Sequence, residues 1–131
     1  MPAPPLVSNI GAVVNLAIAQ ATDFGPVTLT FTNPDGTPVD LTGVTLAADL
    51  ALPATPRTPV ATFTLTITSP PTAGIALMSM PDATTATLSA QAYPGDTSQG
   101  NYVWDLKMTS AGGLVSRPLY GQVTVWREVT P

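Results

Sequence analysis

Asn33, Asp35 and Asp40 bring three oxygen-bearing side chains within eight residues of one another, and closely spaced oxygens are what a calcium ion binds. Calcium takes roughly six to eight oxygens, and this spacing fits no calcium loop. Pro34, Gly36 and Pro38 lie between these residues, so the stretch reads as consecutive turns held by Asx side chains. Asp105 and Lys107 alternate along one extended segment, and solvated surface charges account for them. With eight acidic residues, some carboxylate pair must fall at the roughly 5 to 10 Å that glycoside hydrolysis uses, yet no cleft signature accompanies any pair. Histidine and cysteine are both absent. That removes the usual base of a serine triad, a thiol nucleophile, a thiolate zinc site and any disulfide framework. No Gly-rich strand-to-helix loop is present to cradle phosphate. The expectation is a non-enzyme with no cofactor and no metal. Tyr93, Tyr120 and Trp126 are the aromatics that could stack on sugar.

The elements that must position these residues follow a period of two. A first strand is predicted from about Val13 to Gln20. Val27, Leu29 and Phe31 then alternate with threonines before the Asn33–Gly36 turn. Val44, Leu46, Ala48 and Leu50 form the next strand, ended by Pro53, Pro56 and Pro59 in a loop that carries Arg57. Phe63, Leu65 and Ile67 alternate in another strand, and residues 75–80 in a short one. Residues 81–88 suit one helical turn capped by Ser79 with Pro81 in its first turn. Tyr102, Trp104, Leu106 and Met108 share the buried face of the clearest strand, which Gly112-Gly113 turns back as an antiparallel hairpin. In the last strand Leu119, Val123 and Val125 face one way and Tyr120, Gln122, Thr124 and Trp126 the other, with Gly121 permitting a bend or bulge. Seven strands at this spacing predict an all-β, immunoglobulin-like antiparallel sandwich with almost no helix.

Composition agrees with one domain. The chain has 131 residues, enough to bury a real core. Only 9% are charged, which suits either a surface covered by neighbours or a coat of solvated Thr, Ser, Gln and Asn. The net charge is −4, and the four cations Arg57, Lys107, Arg117 and Arg127 are dispersed along the chain, so no basic stripe is expected for nucleic acid. Residues 6–21 are apolar but interrupted by Asn9, Asn15 and Gln20, and read as neither signal peptide nor membrane anchor.

The motifs also line up with a known pattern. The chain resembles a family of small β-domain virion proteins of tailed bacteriophages, similar to the N-terminal domain of baseplate upper proteins and to tail- and fibre-associated proteins. The resemblance rests on Ala19-Gln20-Ala21-Thr22-Asp23-Phe24, Val27-Thr28-Leu29-Thr30-Phe31 and Asp35-Gly36-Thr37-Pro38-Val39-Asp40-Leu41-Thr42-Gly43. It continues through Gly100-Asn101-Tyr102-Val103-Trp104-Asp105-Leu106, Leu119-Tyr120-Gly121-Gln122-Val123-Thr124-Val125 and Glu128-Val129-Thr130. These pieces occur in the right order, which is more specific than any one of them. Two places depart from the pattern: Asp49-Leu50 with its proline loop, where the family carries an arginine-containing segment, and the long loop over residues 89–100.

The resemblance implies a structural role in the virion, as a tail or baseplate adaptor that attaches fibres by protein–protein association. A homo-oligomer or symmetric ring with other virion proteins is expected, without nucleic acid or membrane. A capsid decoration protein and a carbohydrate-binding module for host-surface glycans are the alternatives. The expected division is an extended proline-rich arm over residues 1–12, a sandwich over 13–127 and a tail over 128–131. The residues expected to meet partners are Leu6, Val7, Ile10, Val13 and Val14 at the start and Trp126, Arg127 and Val129 at the end.

Overall fold

A computed structural model describes residues 11–54, 57–93, 96 and 99–130. Among them the chain is all-β, with two sheets around one core. Strands β1 (Ala12–Val13), β2 (Leu16–Ala19), β3 (Phe24–Thr30), β4 (Thr45–Ala51) and β5 (Pro59–Thr62) come first. They are followed by β6 (Thr64–Ile67), a 3-10 turn over Pro71–Ala73, β7 (Ile75–Met80), helix α1 (Asp82–Thr85), β8 (Asn101–Thr109) and β9 (Val115–Trp126). The larger sheet runs β1–β9–β8–β4–β5, with β2 also on β9, and the smaller runs β3–β7–β6.

Each expected strand has a counterpart, but the first is broken in two and a further strand, β5, forms where the proline loop was expected, so the described residues hold nine segments. Pro59, expected to break any ladder, opens β5, an edge strand where its missing N–H can be tolerated, and β5 leads into the fourth expected strand at Phe63. There the chain passes from β5 in the large sheet to β6 in the small one, and Phe63 is buried between the sheets. Its ring packs edge-on against Phe24 at 5.7 Å and Trp104 at 5.9 Å, and its N–H donates to the Ala48 carbonyl at 2.9 Å. A large apolar side chain at the crossover lets the strand change sheets while its backbone stays bonded.

The first strand breaks at Val14-Asn15, and its pairing corrects an expectation. β1 and β2 lie parallel to β9, in one register from Ala12 opposite Leu119 to Ala19 opposite Trp126. The fold is therefore not antiparallel throughout. Parallel neighbours need a long connection, and here almost the whole chain lies between the first and last strands. The expected boundary between residues 12 and 13 falls inside β1. Gly121 also has a different role from a bulge. The irregularity in the β8–β9 pairing lies between Leu106 and Met108. At Gly121 a β-carbon would overlap the Val14 carbonyl oxygen, so glycine lets the first strand cross close over the last. Val14 N–H donates to the Tyr120 carbonyl at 2.8 Å, Gln122 N–H to Asn15 Oδ1 at 3.0 Å, and the buried Trp104 Nε1–H to the Val14 carbonyl at 2.8 Å.

The core follows the period-two reading. Tyr102, Trp104, Leu106, Val123 and Val125 are buried from the large sheet and Ala76, Met78 and Met80 from the small one, in a cluster that also holds Ile18, Phe31, Leu41, Leu50, Phe63 and Leu88. The helical turn forms where expected, but its cap is different. Pro81 is the N-cap, and the Asp82 N–H is taken by Asp23 Oδ1 at 2.8 Å, while Ser79 lies in β7. A carboxylate at a helix start satisfies an orphan N–H whatever its distance in sequence. Buried Thr85 ties the same turn to the β2–β3 connection by donating to the Thr22 carbonyl at 2.7 Å.

Candidate functional site

The outward face of the large sheet carries the densest polar chemistry. Strand register aligns Thr62, Asp49, Asp105, Tyr120 and Val13 as one row across β5, β4, β8, β9 and β1. Asp49 and Asp105 are directly opposed, an arrangement that repels when both are ionised. Neighbours offset it: Thr62 Oγ1 donates to Asp49 Oδ1 at 2.8 Å, and Arg117 Nη1 lies 3.9 Å from Asp105 Oδ2. The Arg117 guanidinium also sits 4.5 Å from the centre of the Tyr120 ring, a cation–π distance. Val13, Asp49, Asp105, Arg117 and Tyr120 line an open concavity of about 790 Å³, to which Arg57, Lys107 and Gln122 contribute.

Three of the four cations, Arg57, Lys107 and Arg117, thus converge on one face although 60 residues separate the first from the last in sequence. Their dispersal along the sequence conceals this convergence. The hairpin from β8 to β9 was legible and places Asp105 beside Tyr120. Arg57 reaches the face only because β5 pairs with β4, and a proline-rich loop gives no sign of that. The side chains of Arg57 and Lys107 have no hydrogen bond or ion pair among the described residues. The charge partner of Asp105 is Arg117 on the neighbouring strand, with Lys107 opposite Ala47 instead.

The residues expected to meet partners do not form one patch. Leu6, Val7 and Ile10 lie outside the described residues. Val13 is 60% exposed at one edge of the concavity. Val14 is 38% exposed and points to the other side of the strand, where with Leu16, Leu29, Phe31 and Leu119 it lines an apolar groove of about 530 Å³ between the sheets. Trp126 is exposed at the far end of β9, opposite Ala19, six residues beyond the position that pairs with Val13. At about 3.3 Å per residue the two are some 20 Å apart. Arg127 and Val129 follow Trp126 and are exposed. Of the aromatics, Tyr120 is half-buried with Arg117 on its ring, whereas the loop bearing the exposed Tyr93 approaches Trp126 through a bridge between Gln91 and Trp126.

Asp35 and Asp40 hold matching turns. In each, one carboxylate oxygen accepts from the hydroxyl and the backbone N–H two residues on, Thr37 at 2.6 and 3.0 Å and Thr42 at 2.6 and 2.9 Å. The threonine hydroxyls, and then the backbone bonds, hold both carboxyls below the ordinary aspartate value. Among the described residues no group of three or more acidic, histidine or cysteine side chains converges as a metal site. No protein-family model matches the chain, and no curated protein is significantly similar to it.

Proposed function

We propose that this protein is a structural component of a tailed-phage virion, a tail or baseplate adaptor that attaches fibres by protein–protein association. The ordered resemblance along the chain supports the assignment to the virion. The observation that carries the association reading is the outward face of the large sheet, where an open concavity gathers Arg57, Lys107, Arg117, Tyr120 and two opposed aspartates. Surfaces of this kind, aromatic and arginine-bearing but open, suit docking of another protein better than enclosure of a small molecule.

The fold belongs to the same reading. We take the domain as immunoglobulin-like: β4, β8 and β9 form one sheet and β3, β7 and β6 the other, in the positions of the C, F, G and B, E, D strands. The parallel β1/β2 edge and the change of sheet at Phe63 fit that scheme.

Immunogold labelling of intact particles with an antibody against this chain tests the assignment. Gold at the tail tip or fibre base is the expected result. Label over the head makes the chain a capsid decoration protein, and particles without label overturn the virion role. The glycan-binding alternative draws on one observation, the approach of the Tyr93 loop to exposed Trp126.

A further inference from the structure

The charge of this chain is unevenly divided. The concavity on the large sheet carries Arg57, Lys107 and Arg117 against Asp49 and Asp105, a net of +1. Everything else carries Arg127 against Asp23, Asp35, Asp40, Asp82, Asp96 and Glu128, a net of −5 within a total of −4. A surface with cations left over, on a body otherwise negative, complements a second copy of the same body.

One acidic stretch is both exposed and held rigid. Residues 33–42 project between β3 and β4 and are pinned by the Thr32–Pro38 bridge, by the Leu41 N–H bonded to the Pro71 carbonyl, and by the twin aspartate–threonine turns. Pro34 and Pro38 stiffen the stretch further, so docking it orders little additional chain. Asp35 and Asp40 are exposed, and only one oxygen of each is used by the turns. Asp23 and Asp82 likewise each spend one oxygen, at the start of α1, but they lie on separate connections rather than on one short stretch. The Val39 backbone also lies against Gly74, where a β-carbon would meet it.

We infer that the cation-lined concavity receives the Asp35–Asp40 turn of a second copy, in a head-to-tail contact. Arg57 and Lys107, whose side chains lack partners among the described residues, pair with the incoming carboxylates, and Val13 lies at the rim. Because the two surfaces differ, the contact is heterologous and repeats into a ring or an open filament. The inference rests on the association reading and names the neighbour at that face. Exposed pairs of this kind are individually weak, so the contact is salt-sensitive and gains from the avidity of a closed ring.

Lys107 is the single lysine, which makes the test direct. Equal amounts of unlabelled and heavy-nitrogen-labelled protein are mixed at low ionic strength, treated with a carbodiimide that joins amines to carboxylates, and digested for mass spectrometry. The expected product joins Lys107 of one isotope to Asp35 or Asp40 of the other. Sedimentation should show association that weakens on the order of tenfold in about 0.5 M salt, and equally in Arg57→Glu/Lys107→Glu. Cross-links from Lys107 confined to its own chain, or a monomer at low ionic strength, would overturn the contact. Since the experiment uses purified protein, a monomer that still labels the tail leaves the virion role standing. Isotope-mixed cross-links with unlabelled particles would do the reverse.

Discussion

Gly121→Ala should weaken the domain out of proportion to the single carbon added. Gly121 has no left-handed backbone requirement, so the cost is one of space: its β-carbon would overlap the Val14 carbonyl oxygen, which is backbone and cannot rotate away. Relief requires β1 to lift from β9, and three hydrogen bonds are at stake there, from Trp104 Nε1, Val14 N–H and Gln122 N–H. Each contributes about 1 kcal/mol net, and the Trp104 donor would be left buried without its acceptor, so the expected loss is about 3 kcal/mol. Urea unfolding followed by Trp fluorescence measures it, with Gly36→Ala as a control that meets no atom within 4 Å and costs only the roughly 1 kcal/mol of a left-handed residue. Trp104→Phe removes the indole donor. In that background Gly121→Ala should cost about 1 kcal/mol less if the lifted Val14 carbonyl is the cause. A Gly121→Ala loss no larger than that of Gly36→Ala, or the same loss with and without the indole, would refute the reasoning.

Deletion of residues 1–10, leaving β1 intact, should give a folded domain of unchanged unfolding midpoint that no longer incorporates into particles; normal incorporation would remove the arm from the mechanism. Leu106→Ala empties a fully buried site and should cost roughly 2–5 kcal/mol by the same urea assay. Asp35 and Asp40 titrate below the ordinary aspartate value when folded, so their stabilisation is complete above the unfolded value near about 3.9 and is lost as pH falls through the lower folded value. Asp35→Asn/Asp40→Asn keeps an accepting oxygen and should flatten the loss of stability on acidification below about pH 4, measured as the urea midpoint against pH. On the glycan alternative, Trp126→Ala and Tyr93→Ala should each weaken binding in a host-surface glycan screen, whereas on the adaptor reading the isolated domain binds none.

Alternation alone gave the inward sets at Tyr102, Trp104 and Leu106 and at Val123 and Val125, because a half-buried strand must repeat every two residues. The Asx turns at Asp35 and Asp40 were equally legible, since their bonds span two residues. Contacts decided over long separations were not. Asp23 caps a helix 59 residues away by accepting from the Asp82 N–H, and nothing local marks it out over Ser79 for that role. The partnership of β1 and β2 with β9 depends on Val14 meeting Gly121, and a glycine in a strand signals close approach without naming what approaches. Arg57 joined the concavity by the same kind of unseen pairing, that of β5 with β4.

The parallel pairing of the first and last strands has a mechanical meaning. β1 and β2 run in the same direction as β9, so tension applied through the two ends of the domain pulls these strands past one another lengthwise. Their cross-strand bonds then bear the load together instead of opening one by one, and with Val14 seated over Gly121 the pair cannot slide without breaking its tightest contact. Resistance to such a pull is set by the rate of unfolding more than by equilibrium stability. A domain joined at both ends to other proteins would carry strain along this ladder, and Gly121→Ala should lower its rupture force more than it lowers its melting temperature.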